Sequence, residues 1–167
     1  TGITHLQSTT LEADFNKLKT IFEADDLSNF EKEVIGPLPV VSADQLNTPS
    51  LLQPIQAFLW FITHGGRFGS NWQNLISRVT VKTPVPFAPQ ITAPFIKVPT
   101  MMLVGSNDEM IHCNPEVQKS VFDAIRAPKE FHEVDGGHFG CLYAGSSLFK
   151  QAVHLEIEFM KRNSHII

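Results

Sequence analysis

Several things are scarce in these 167 residues, and each scarcity narrows the field. There are two cysteines, Cys113 and Cys141, too few for a disulfide framework; the pair reads as reduced thiols of a cytoplasmic protein. No basic run occurs, and the net charge is −4. Nucleic-acid binding therefore lacks its electrostatic footprint, and an anionic membrane surface lacks a basic patch to attract. The longest apolar stretches, such as Ala57–Ile62, fall far short of the roughly 20 residues that span a bilayer. There is no internal repeat and no low-complexity tract. The chain opens on Thr1 without a signal-peptide pattern, which is expected of a processed product or of a piece of something longer.

What is present suits a folded soluble protein with one sizeable core: 43% apolar and 18% charged residues. Two halves differ in character. In the first, Leu11, Phe15, Leu18 and Phe22 recur at helical spacing, with Thr9 or Thr10 as the expected cap. The segment "IGPLPVVSADQLNTPS" carries Pro37, Pro39 and Pro49 and is expected to be an extended loop. A second helix is expected over 50–63, ended by a left-handed cap at Gly65–Gly66. A third, short one is expected around 70–77. Together, residues 1–80 read as a helical lid or cap-like segment. Residues 81–99 hold five prolines and read as a connector without helix.

The second half, 100–167, has a strand–helix rhythm. "TMMLVG", Thr100–Gly105, is an apolar run stopped by glycine, expected of a strand buried on both faces. A helix is expected over 115–127 with Asn114 as cap and Val117, Val121, Phe122 and Ile125 on one face. "KEFHEV", Lys129–Val134, reads as the next strand. A last helix over 146–161 places Leu148, Val153, Leu155, Ile157, Phe159 and Met160 on an apolar stripe. This order implies parallel strands joined by crossovers.

Ligands and catalytic groups in parallel α/β sheets gather beyond the carboxyl ends of strands. Two polar clusters occupy such ends: "GSNDEMIH" after the first strand and "DGGHFG" after the second. Neighbouring parallel strands would bring Asp108 and His138 to one edge. An aspartate beside an imidazole fixes its tautomer and stabilises the imidazolium formed when it takes a proton.

"IKVPTMMLVGSNDEMI" and "PKEFHEVDGGHFGCLY" resemble the last two strands of an α/β-hydrolase. That superfamily carries its triad acid in a G-x-x-D loop and its base in the following G-G-H-F or G-H-F loop. "WQNLISR" resembles the W-x-N-x-x-x-R segment of the dienelactone-hydrolase-like and acyl-peptidase-like branches. The resemblance runs from about Trp72 to Arg162. It implies the C-terminal portion of a parallel-sheet α/β-hydrolase fold, with Asp108 as acid and His138 as base. The implied activity is that of an esterase, lactonase or thioesterase acting on a small-molecule acyl substrate without a cofactor.

The chain departs from that family in having no G-x-S-x-G elbow. Ser70, Ser106 and Ser146 lack the second glycine at the required spacing. The nucleophile, serine or cysteine, is therefore expected in a missing N-terminal half of the same fold, the chain alone being inactive. The competing readings are a binding domain that keeps the hydrolase fold without its chemistry, and a hydrolase-fold lyase or transferase. A homo-oligomer is compatible with any of them.

Other residues carry less. His132, Asp135, His138 and Cys141 are not expected to hold metal, since alternation sends His132 into the strand and paired zinc-ligand spacing is absent. His112 and Cys113 are adjacent, and adjacent side chains rarely face one another. Glu109 is an alternative acid. His5, His64, His154 and His165 have no partner pattern and are expected on helices or the surface. Phe139, Met110 and Ile111 adjoin the pair in sequence and are candidates for a pocket wall. "AFLWFI" is expected to pack as a lid helix.

Overall fold

The computed structural model describes residues 5–24, 27–67, 69–86 and 88–164, with the side chains of 5–9 set aside. Among them five helices and four strands form a small mixed α/β domain. Its two sheets have two strands each, one antiparallel and one parallel. The expected parallel-sheet α/β-hydrolase portion is therefore corrected: the parallel ladder stops at two strands, and the other pair belongs to the half expected to be helical.

Helix α1, His5–Glu23, starts upstream of Thr9 and Thr10, so neither caps it. Leu18 on its apolar face joins Val85 and Ile91 in one buried cluster, with Leu11 and Phe15 against it. Strand β1, Lys32–Leu38, takes up the start of the expected loop. It pairs antiparallel with β2, Ile76–Val81, from Lys32↔Val81 to Leu38↔Ile76. The register shifts between Ile35 and Leu38. There Gly36 sits at φ 124°, and the peptide to Pro37 is cis. A side chain at Gly36 would be both strained in φ and 2.8 Å from the Ile76 carbonyl oxygen. The short helix expected around 70–77 is instead an irregular approach to β2.

Helix α2, Ile55–His64, is shorter than expected, because Pro54 supplies its first fixed φ and cannot lie deeper in the helix. Its C-cap Gly65 is right-handed, at φ −71° and ψ −40°, not left-handed. Here glycine answers space: a Cβ would press on the Trp72 ring and the Phe61 carbonyl. Nor is the proline-rich connector free of helix. Pro89 opens the one-turn α3, Pro89–Thr92, and Pro94 lies in the first turn of a 3-10 segment, Ala93–Phe95. First-turn positions need no N–H donor, which is why proline is tolerated there.

In the second half β3, Thr100–Gly105, and β4, Lys129–Val134, pair in parallel from Thr100↔Lys129 to Gly105↔Val134. Between them lies α4, Pro115–Ala124, and after them α5, Ser147–Asn163. Asn114 caps α4 by accepting from the Glu116 and Val117 N–H groups, and Ser146 caps α5 by accepting from Phe149. Strand alternation sends Phe131 toward Phe122 of α4, with ring centroids 5.1 Å apart, and Glu130 toward Arg162 of α5. The two helices thus cover opposite faces of the ladder. β3 is nonetheless only half-buried along its length, because a two-stranded sheet leaves both outer edges open. On α5 the buried face centres on Ala152, while Ile157 and Met160 are exposed. No helix among the described residues is long and apolar enough to cross a membrane.

A second buried cluster joins the two halves. Val40, Val41, Ala57 and Phe139 form it, with Trp60, Phe61, Trp72, Met110 and Tyr143 packed around. Val41 is fully buried, and its backbone is satisfied by Asn74: the amide Oδ1 accepts from Val41 N–H and Nδ2 donates to its carbonyl. A fully buried peptide needs both partners. This gives Trp72 and Asn74 of the "WQNLISR" stretch structural work.

Candidate functional site

The site is built where β3 and β4 end. Because Gly105 and Val134 are the last paired residues, the loops that follow leave the sheet side by side. They are braced by backbone bonds from Ser106 N–H to the Val134 carbonyl (2.9 Å) and from Asn107 N–H to the Gly136 carbonyl (3.1 Å). Asn107 adds a side-chain bond to Asp135 at 3.0 Å. Parallel pairing in this register is thus what brings a residue three beyond one strand to a residue four beyond the next.

Asp108 and His138 meet as the sequence suggests. Asp108 Oδ2 lies 2.9 Å from His138 Nδ1. With its proton on Nδ1, the imidazole donates to the carboxylate. Oδ1 of the same carboxylate accepts from Met110 N–H at 2.9 Å, so both oxygens are held. The Asp108 side chain is 11% exposed and that of His138 39%, which sets a shielded acid behind an accessible ring. Among the described residues His138 Nε2 makes no hydrogen bond. Burial by itself pushes the Asp108 carboxyl up. The bonds from His138 and Met110, the attraction of the imidazolium, and the Cys113 thiol together outweigh it and hold the carboxyl below its ordinary value.

Glu109, weighed above as an alternative acid, has another role. Its Oε2 accepts from the His138 backbone N–H at 2.9 Å, which clamps the histidine loop rather than the ring. It also fills the space a side chain at Gly137 would need. Below the ring, Phe139 is 5% exposed. Its ring stands edge-on to His138 at 5.0 Å, with Trp60 at 5.7 Å and Phe61 at 6.4 Å. "AFLWFI" on α2 is therefore the floor under the base. Phe139 and Met110 point into that packing, while Ile111 is exposed. His64 packs there too, 4.9 Å from Trp60 and 6.0 Å from Tyr143.

A further side chain stands beside the pair. Cys113 Sγ lies 3.7 Å from His138 Nδ1; its partner is this histidine, not the adjacent His112. The signal is weak in sequence, because the approach depends on a turn in which Cys113 N–H reaches the Met110 carbonyl at 2.9 Å. Burial pushes the Cys113 thiol up, and the Asp108 bond and the Asp108 and Glu109 charges push the same way. It is a protonated thiol on the acid's side of the ring, not a nucleophile poised at Nε2. Cys141 is likewise a free thiol raised by burial.

His132 takes part in a different network, 3.1 Å from Glu130, which in turn holds Arg162 at 2.7 Å. Glu130 is held below its usual range by Arg162 first and His132 second. His154 is exposed, whereas His165 and the His5 side chain lie outside what is described. Comparison with protein-family models, with curated proteins and with solved structures found no match to this chain.

Proposed function

We propose that this chain supplies the acid–base half of an acyl hydrolase acting on an ester, lactone or thioester of a small molecule. The observation that carries the reading is the Asp108–His138 bond of 2.9 Å, on an accessible ring whose Nε2 bonds none of the described residues. His138 Nε2 takes the proton from a serine or cysteine nucleophile as it attacks the acyl carbon. Asp108 accepts the Nδ1–H bond and stabilises the resulting imidazolium. The Nε2–H then protonates the leaving group, and the cycle repeats with water on the acyl-enzyme. The loop resemblance to α/β-hydrolases supports the same roles. In this reading the nucleophile comes from outside this chain, whose sequence has no G-x-S-x-G elbow. Two free thiols suit a reducing, cytoplasmic setting.

The product of the complete gene tests this on a chromogenic acyl ester in the presence of chelator. His138→Ala is expected to lower kcat by at least ~100-fold, the low end of what general acid–base catalysis supplies. Asp108→Asn is expected to lower kcat with little change in KM. A wild-type rate in His138→Ala removes histidine from the chemistry. One observation favours a second reading, a binding domain: among the described residues no hydroxyl or thiol is hydrogen-bonded to His138 Nε2. No turnover in the complete gene product favours that reading.

A further inference from the structure

The same corner adds Cys113, a thiol that the hydrolytic reading does not use, to Asp108 and His138. One atom each of Asp108, Cys113 and His138 lies within 4.8 Å of the others. The Nδ1–Oδ2 edge is 2.9 Å and the Sγ–Nδ1 edge 3.7 Å. Tetrahedral zinc with bonds of about 2.0–2.3 Å spaces its nitrogen, oxygen and sulfur ligands roughly 3.3–3.6 Å apart. A shift of under an ångström therefore opens the nitrogen–oxygen edge to fit. We propose that Asp108, Cys113 and His138 form a three-ligand site for a zinc-like divalent cation, with solvent at the fourth position.

Three features argue for this. The donors are a carboxylate oxygen, a sulfur and an imidazole nitrogen, a mixture that selects zinc or cobalt over magnesium or calcium. Two of them sit on one short turn that is already braced, by Met110 N–H on Asp108 Oδ1 and by Cys113 N–H on the Met110 carbonyl. The third is aimed by the Glu109 clamp on its backbone. Supporting bonds of this kind orient ligands and tighten metal binding. Protons balance simply. The imidazole proton moves from Nδ1 to Nε2, the thiol releases its proton to solvent, and carboxylate plus thiolate neutralise the dication. The site does not rest on the hydrolytic reading, and its occupancy excludes it, because the ion takes the Nδ1 lone pair that Asp108 must hold protonated.

Metal-free protein is titrated with Co2+ and then Zn2+, without substrate. One equivalent of Co2+ is expected to produce a thiolate-to-cobalt charge-transfer band with the strong visible bands of tetrahedral geometry, and Zn2+ to bleach both. Cys113→Ser is expected to abolish the charge-transfer band and weaken Zn2+ binding by at least ~100-fold, more than loss of a supporting contact costs. His138→Ala and Asp108→Asn are expected to weaken it by at least ~10-fold. Cys141→Ser, which removes the other thiol, is expected to change neither. Each variant is compared at wild-type far-ultraviolet circular dichroism. A band that survives Cys113→Ser, a band lost in Cys141→Ser, or no binding tighter than millimolar overturns the site. Hydrolysis assayed in chelator fails or succeeds independently of this titration.

Discussion

Gly105 lies where the two site loops come closest, next to the Ser106 and Asn107 bonds that brace them, and Gly105→Ala tests that bracing. An added Cβ would lie 2.5 Å from the Gly136 carbonyl oxygen and 3.3 Å from both the Gly136 carbonyl carbon and the Gly137 oxygen. All three are backbone atoms, so no side chain can swing aside. The 135–138 turn must retreat by about 0.9 Å to reach the 3.4 Å at which ordinary contact begins. That retreat weakens the Ser106–Val134 and Asn107–Gly136 backbone bonds, about 1 kcal/mol each. Overpacking adds roughly 1–3 kcal/mol, and the stiffer unfolded chain returns about 0.5–1 kcal/mol. The expected net loss is about 2–4 kcal/mol. Urea unfolding reads it as a lowered midpoint with unchanged slope. The His138 Nδ1–H resonance in proton spectra reads the second consequence, since Asp108 moves away from the ring. A loss below about 1 kcal/mol with that resonance unmoved would refute the idea that contact at Gly105 sets the dyad's geometry.

Phe139→Ala should cost about 3–5 kcal/mol, because it empties a 5%-exposed site ringed by Trp60 and Phe61; calorimetry showing less than about 1.5 kcal/mol would mean that the floor collapses to fill the space. The pH dependence has a definite sign. Asp108 titrates lower when folded than its ordinary value of 3.8, so it adds stability above that value and loses it as pH falls through the folded one. The stability gap between wild type and Asp108→Asn should therefore shrink in acid. A gap constant between roughly pH 6 and pH 2.5 would count against the carboxylate–imidazole bond as its source.

The second half of the chain was legible because each element there is announced locally. Apolar runs stop at Gly105 and at Asp135–Gly136, Asn114 and Ser146 are side-chain caps, and Pro115 sits where its missing donor does no harm. Once β3 and β4 are parallel neighbours, Asp108 and His138 follow. The first half was not legible for the opposite reason. β1 and β2 are more than 35 residues apart, largely exposed, and broken by a proline and a register shift. Their pairing is decided by contact between distant segments, and neither shows clean alternation. The same holds for Cys113 and Glu109. Their roles arise from how two loops fold onto each other, and adjacency to His112 or Asp108 pointed elsewhere.

A ladder of only two parallel strands also has a kinetic signature. In such a ladder each residue's N–H and C=O point the same way, and successive residues alternate. Half of the amides in β3 and β4 therefore face the partner strand, and the other half face outward with no third strand among the described residues to receive them. Deuterium should enter these strands in an every-other-residue rhythm, slow at one position and fast at the next. The platform beneath Asp108 and His138 is thus open to water along both margins, and α4 and α5 meet it only through its faces.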